Sequence, residues 1–99
     1  MINPRRVKIG SDEEKKLVAV AKILEAVSPN NYDYKVEVTY FDYGQDWVWT
    51  TIVCHNYMKD RSWQVLNPKE WEHIITAETI ADLCVIAEHI TKDEYFIDR

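Results

Sequence analysis

Residues 32–54 read YDYKVEVTYFDYGQDWVWTTIVC, and the way this stretch folds back on itself decides the architecture. Tyr32, Tyr34, Val36, Val38 and Tyr40 alternate with Asp33, Lys35, Glu37 and Thr39, a period of two that marks a half-buried strand. After Asp42-Tyr43-Gly44 a second strand-like run, Trp47 to Cys54, follows. Asp42 suits the opening of a type I turn and Gly44 the left-handed position of a three-residue hairpin loop. That loop predicts Val38 opposite Val48, Val36 opposite Thr50, Tyr34 opposite Ile52 and Tyr32 opposite Cys54, making one core face. The other face then holds Thr39 opposite Trp47 and Glu37 opposite Trp49. A two-residue Tyr43-Gly44 loop would shift the register by one and turn both tryptophans inward, because side chains alternate along a strand. Whether Trp47 and Trp49 face core or solvent therefore hangs on this turn.

Working outward, helices flank the hairpin on both sides in sequence. Ser11-Asp12-Glu13-Glu14 fits a capping box, with Glu14 reaching back to Ser11, and its acids suit the positive end of a helix dipole. Leu17, Val20, Ala21, Leu24 and Val27 recur at helical spacing over 12–27, and Ser28-Pro29-Asn30-Asn31 ends the run. Beyond the hairpin, Met58 to Arg61 reads as a turn and Ser62 to Leu66 as a third strand. Asn67-Pro68-Lys69-Glu70 is a strong helix start, with Asn as N-cap, Pro at the first position and Glu three residues on. It predicts a helix over 68–75. Thr76 reads as a second cap before a helix over 77–91, with Ile80, Leu83, Cys84, Ala87 and Ile90 as its stripe. Tyr95, Phe96 and Ile97 in the tail are apolar enough to dock back on the body. The expected fold is α+β, order αβββα(α). A three-stranded antiparallel sheet (hairpin 32–41/46–55, third strand 62–66) carries the helices on one face. Residues 1–10 read as a basic N-terminal arm that needs no fixed structure, and 11–99 as one domain.

Composition narrows the class of protein. Ninety-nine residues with 46% hydrophobic and 29% charged suit one globular domain. Two cysteines, Cys54 and Cys84, build no disulfide framework, and the apolar runs are too short to span a bilayer. No apolar segment follows the basic start, so a secretory signal is not expected and a cytoplasmic setting is. Arg5, Arg6 and Lys8 give the first ten residues +3, which leaves −8 for the rest of a chain at −5. An acidic body repels phosphate backbones and suits a basic protein partner.

Candidate chemistry is thin. Cys54-His55, Cys84 and His89 are the residues with zinc-ligand chemistry. Cys84 and His89 diverge by roughly 140° on a helix turning ~100° per residue, and Cys54 and His55 point to opposite faces of a strand. Buried thiols acting as small hydrophobes are the better account, and no metal is expected. Glu70-x-x-His73 is half of a di-iron carboxylate motif without its second half. Cys54 has no base set beside it, and the chain has no glycine-rich phosphate loop and no nucleophile elbow. No catalytic residue and no cofactor is expected. Helix, three strands, helix is also the order of double-stranded-RNA-binding domains. The lysine cluster that opens their last helix is replaced here by Lys69 among Glu70, Glu72 and Glu78.

Aromatic content stands out instead, with four Trp and six Tyr, most of them in the central strands. Trp and Tyr bury large area while keeping a polar handle, which is why interfaces use them. Glu37, Thr39, Phe41, Tyr43, Trp47 and Trp49 are therefore the candidate binding residues. The expectation is a non-enzymatic, acidic protein-binding domain that engages a protein partner or a second copy as a homodimer. Inhibitors and accessory proteins of phages and mobile elements, acting on basic nucleic-acid-handling proteins, offer the analogy of class. The alternatives are a nucleic-acid-binding module using the basic arm and a small enzyme built on Cys54.

Overall fold

A computed structural model describes residues 4–27 and 34–92. The helix stop at 28–31, the strand start at 32–33 and the tail aromatics Tyr95, Phe96 and Ile97 lie outside the described residues. The elements run β1 (Arg5–Lys8), α1 (Asp12–Val27), β2 (Tyr34–Phe41), β3 (Trp47–Asn56), β4 (Arg61–Gln64), α2 (Pro68–Thr76) and α3 (Ile80–Lys92). The class is α+β, and the helix–hairpin–strand–helix–helix order read from the sequence stands.

Among the described residues the sheet is antiparallel and has four strands, where the sequence pattern predicts three. The extra one is β1, which lies in the basic N-terminal arm. It pairs Arg5 with Thr50, Arg6 with Trp49, Val7 with Val48 and Lys8 with Trp47. Strand β3 is the spine: β2 lies along one edge, while β1 and β4 share the other. Strand β4 covers Arg61–Gln64 rather than 62–66, and Val65 and Leu66 continue from it into the core.

The hairpin register differs from the expected one. Val38 pairs with Ile52, Val36 with Cys54, Tyr34 with Asn56 and Phe41 with Trp49. Pairing has moved by four residues along β3 because the loop is longer. Asp42, not Gly44, takes the left-handed conformation, at φ 52°, where Asp is among the better-tolerated residues. The chain then turns so that the Gly44 N–H donates to the Trp47 carbonyl at 2.7 Å. Gly10, at φ 83°, is the glycine that needs its freedom, and it links β1 to α1. A shift by an even number leaves every side chain on its face. The face assignments made with the three-residue loop therefore survive even though the pairs do not.

Helix α1 lies on the face carrying Val7, Val36, Val48, Ile52 and Cys54, and α2 and α3 pack on α1. Leu17, Val20, Ala21 and Leu24 of α1 are buried there with Trp71 and Ile74 of α2 and Leu83, Ala87 and Ile90 of α3. Glu14 and Glu25 tie α1 to β2 at its two ends. The Glu25 carboxylate accepts the Val36 N–H. Burial and the hydrogen-bonded Glu14 carboxylate together push the Tyr40 pKa up to about 12.

Several caps differ in detail. Glu14 accepts the N–H of Gly10 at 2.7 Å rather than that of Ser11, while the Ser11 hydroxyl accepts from Glu14 N–H. Asn67 and Glu70 form the expected reciprocal box at 2.8 Å each way. The second cap is Thr79, not Thr76. Its hydroxyl accepts from Asp82 N–H and the Asp82 carboxylate accepts from Thr79 N–H, so α3 starts at Ile80. Thr76 instead bonds back to the Glu72 carbonyl and stays in α2. Ile80, the first residue of α3, and Cys84, at the edge of the line formed by Leu83, Ala87 and Ile90, are exposed, contrary to the expected stripe and to two buried thiols. Val27, at the end of α1, is exposed as well.

Candidate functional site

Odd-numbered residues of β2 and β3 and the even-numbered residues of β1 and β4 point away from the helices. This face carries Lys35, Glu37, Thr39 and Phe41 on β2, and Trp47, Trp49, Thr51, Val53 and His55 on β3. Arg6 and Lys8 flank them on β1, and Ser62 and Gln64 on β4. Among the described residues no helix packs on it. Period-two patterning explains its smaller side chains, which alternate with the valines and isoleucine of the covered face. It does not explain two indoles, 43% and 39% exposed for Trp47 and Trp49.

One row across the sheet joins Phe41, Trp49 and Arg6, since Trp49 pairs with both neighbours. The next joins Trp47 and Lys8. The Arg6 guanidinium sits over the Trp47 ring, 5.7 Å from its centroid, a cation–π arrangement. Of the six candidate residues, Glu37, Thr39, Phe41, Trp47 and Trp49 share this face, and exposed Tyr43 stands in the loop at its end. The expected neighbours are changed: Thr39 faces Thr51 and Glu37 faces Val53, and Phe41 takes the place beside Trp49. Thr51 is 1% exposed, and its hydroxyl has no hydrogen-bond partner among the described residues.

Sequence reasoning missed Arg6 and Lys8. Their only signal was Val7 set between two cations, too short a pattern to be read as a strand. Their placement changes the charge map. The four strands hold Arg5, Arg6, Lys8, Lys35 and Arg61 against a single carboxylate, Glu37. Lys35 and Glu37 pair with each other at 3.6 Å, and Arg5 reaches Glu72 of α2 at 2.6 Å on the covered side. Arg6 and Lys8 form no ion pair among the described residues.

Other places carry less chemistry. Cys54 is core, 1% exposed, so its thiol is closed to a substrate, and His55 points to the opposite face toward Ser62. Cys84 lies on the outer surface of α3, away from Cys54. Among the described residues no three His, Cys, Asp or Glu side chains gather as metal ligands. A groove of about 600 Å³ between α2 and α3 holds His73 and His89 with Lys69, Glu70 and Lys92 on its walls. Glu70 there is engaged in its cap, and no cysteine, serine or threonine lines the groove. No helix of the described residues is long and apolar enough to cross a membrane.

Comparison with protein-family models, with curated proteins and with solved structures finds no match to this chain. The reading of its function rests on the uncovered face alone.

Proposed function

We propose that this chain is a non-enzymatic protein-docking domain that works through the uncovered face of its sheet, with Trp47 and Trp49 at the centre of the contact. One observation carries the reading: two large indoles and Phe41 stand together on a face that no described element covers. Contiguous exposed apolar patches on small domains usually mark interaction sites, and tryptophan is the residue that most often dominates their energetics. Polar neighbours, Glu37, Thr39, Arg6 and Lys8, supply the hydrophilic rim that such patches carry. The partner is a protein, and the role of this small domain toward it is accessory or inhibitory.

Replacing both indoles, Trp47→Thr with Trp49→Thr, keeps strand propensity and removes the ring area. The expected result is a folded protein that no longer retains the partner captured by the unchanged chain, with binding weakened by several kcal/mol. A folded double variant that captures the same protein equally well refutes the proposal. Loss of a dimer in sedimentation would identify the partner as a second copy.

A further inference from the structure

Resting on that docking reading, we infer that the partner presents an acidic, apolar segment to this face, with carboxylates meeting Arg6 and Lys8 beside the two indoles. The chain's total charge of −5 points the other way, toward a basic partner, but total charge is a sum over surfaces that never meet the same ligand. Acids of the helical elements, from Asp12 to Glu88, lie on the far side of the sheet. On the uncovered face Lys35 is already matched by Glu37. Among the described residues Arg6 and Lys8, directly opposite Trp49 and Trp47 in the register, are left without an ion pair.

Position makes these cations useful. The Arg6 guanidinium lies over the Trp47 ring, and a guanidinium stacked by its face can still donate its edge N–H groups to a carboxylate. Covering the indoles with an apolar side chain excludes water, and an ion pair at their margin gains as the local dielectric falls. A segment with an aromatic or aliphatic anchor between carboxylates therefore satisfies both demands at once.

A basic segment would set like charges against Arg6 and Lys8, an arrangement that suppresses association. Single-stranded nucleic acid shares the anionic and aromatic chemistry but needs a track of cations, because every nucleotide brings a phosphate. Among the described residues this face offers two cations without an ion pair, both on one short edge strand, and Asp42 and Asp46 stand in the adjoining loop. Two carboxylates fit that supply and a phosphate chain does not.

The test titrates the full chain, exciting its indoles, with three probes: a random glutamate–tyrosine copolymer, a lysine–tyrosine copolymer and oligothymidylate. The glutamate–tyrosine copolymer is expected to perturb the indole emission and the other two are not. Arg6→Glu and Lys8→Glu should each weaken its binding about tenfold or more. Lys35→Glu alters net charge by the same amount on the same face, and should change binding by no more than about threefold because its effect is remote and screened. Circular dichroism verifies that each variant is folded. Equal loss with Lys35→Glu, stronger binding of oligothymidylate or of the lysine copolymer, or no response to any probe overturns the inference. The docking reading itself fails separately, when the double tryptophan variant still retains its captured protein.

Discussion

Strand β3 belongs to two surfaces, and they differ in what holds them in place. Its even-numbered side chains, Val48, Thr50, Ile52 and Cys54, are each at most 1% exposed beneath α1. Its odd-numbered indoles, Trp47 and Trp49, are larger yet keep about two-fifths of their surface in water. Trp71 on the helical side, at 1% exposed, is an indole the fold does use internally. Burying apolar area is the main favourable term in folding, so side chains of this size left half-covered contribute less than they would in a core. The difference separates residues that hold the domain together from residues free to serve a contact outside it.

Breaking the covered side should cost most. Leu24→Ala opens a cavity beneath α1, at a residue fully buried against the sheet, and is expected to cost roughly 2–5 kcal/mol in urea unfolding. Leu83→Ala at the α1–α3 seam should fall in the same range. For a domain with ~5–10 kcal/mol in total, either change leaves it marginal. An unchanged unfolding midpoint in both variants would show that the core is not where it has been placed.

The uncovered side should respond far less. Trp47→Thr and Trp49→Thr each remove a partly covered ring and one cross-strand contact, so about 1 kcal/mol apiece is expected in the same assay. A loss of the size seen for Leu24→Ala would mean that the rings are structural.

The turns give a third contrast. Gly10→Ala forces a Cβ into the left-handed region and should cost about 1 kcal/mol. Gly44 is not in that region, and a Cβ there would meet the Trp47 carbonyl at 3.2 Å and the end of the Arg6 side chain at 3.8 Å. Gly44→Ala is therefore expected to cost less than Gly10→Ala, and the reverse order would restore the three-residue loop.

The smallest effect sharpens the comparison from inside the uncovered face. Thr51→Val keeps the shape of a buried side chain and removes its unpartnered hydroxyl. It should stabilise the chain by roughly 0.5–1 kcal/mol, and a clear loss would point to an unrecognised hydrogen bond.

How much of this was legible follows from the length of each signal. Faces were legible because an alternation eight residues long, Tyr34 to Phe41, fixes which side chains look inward whatever the exact pairing. Pairing was not, since Asp42 rather than Gly44 took the left-handed position and lengthened the loop. Asn67 announced its helix through a complete box. Thr79 and Asp82 offered a shorter version of the same signal, hidden behind Thr76, a plausible cap that turned out to lie inside α2. Strand β1 was illegible because four residues carry too little pattern, and it took Arg6 and Lys8 with it. The five candidate residues on one face were therefore readable from the sequence, whereas the cations that give that face its electrostatic character were not.

The central claim is that a partner covers the face of Trp47 and Trp49 and leaves the helical side untouched. The four indole N–H groups report on both sides in one nitrogen–proton correlation spectrum, since Trp63 and Trp71 lie on the helical side. Recorded with and without the protein that the chain captures, it should show the Trp47 and Trp49 signals moving while those of Trp63 and Trp71 stay. Movement of Trp63 or Trp71 with Trp47 and Trp49 unchanged would contradict the account.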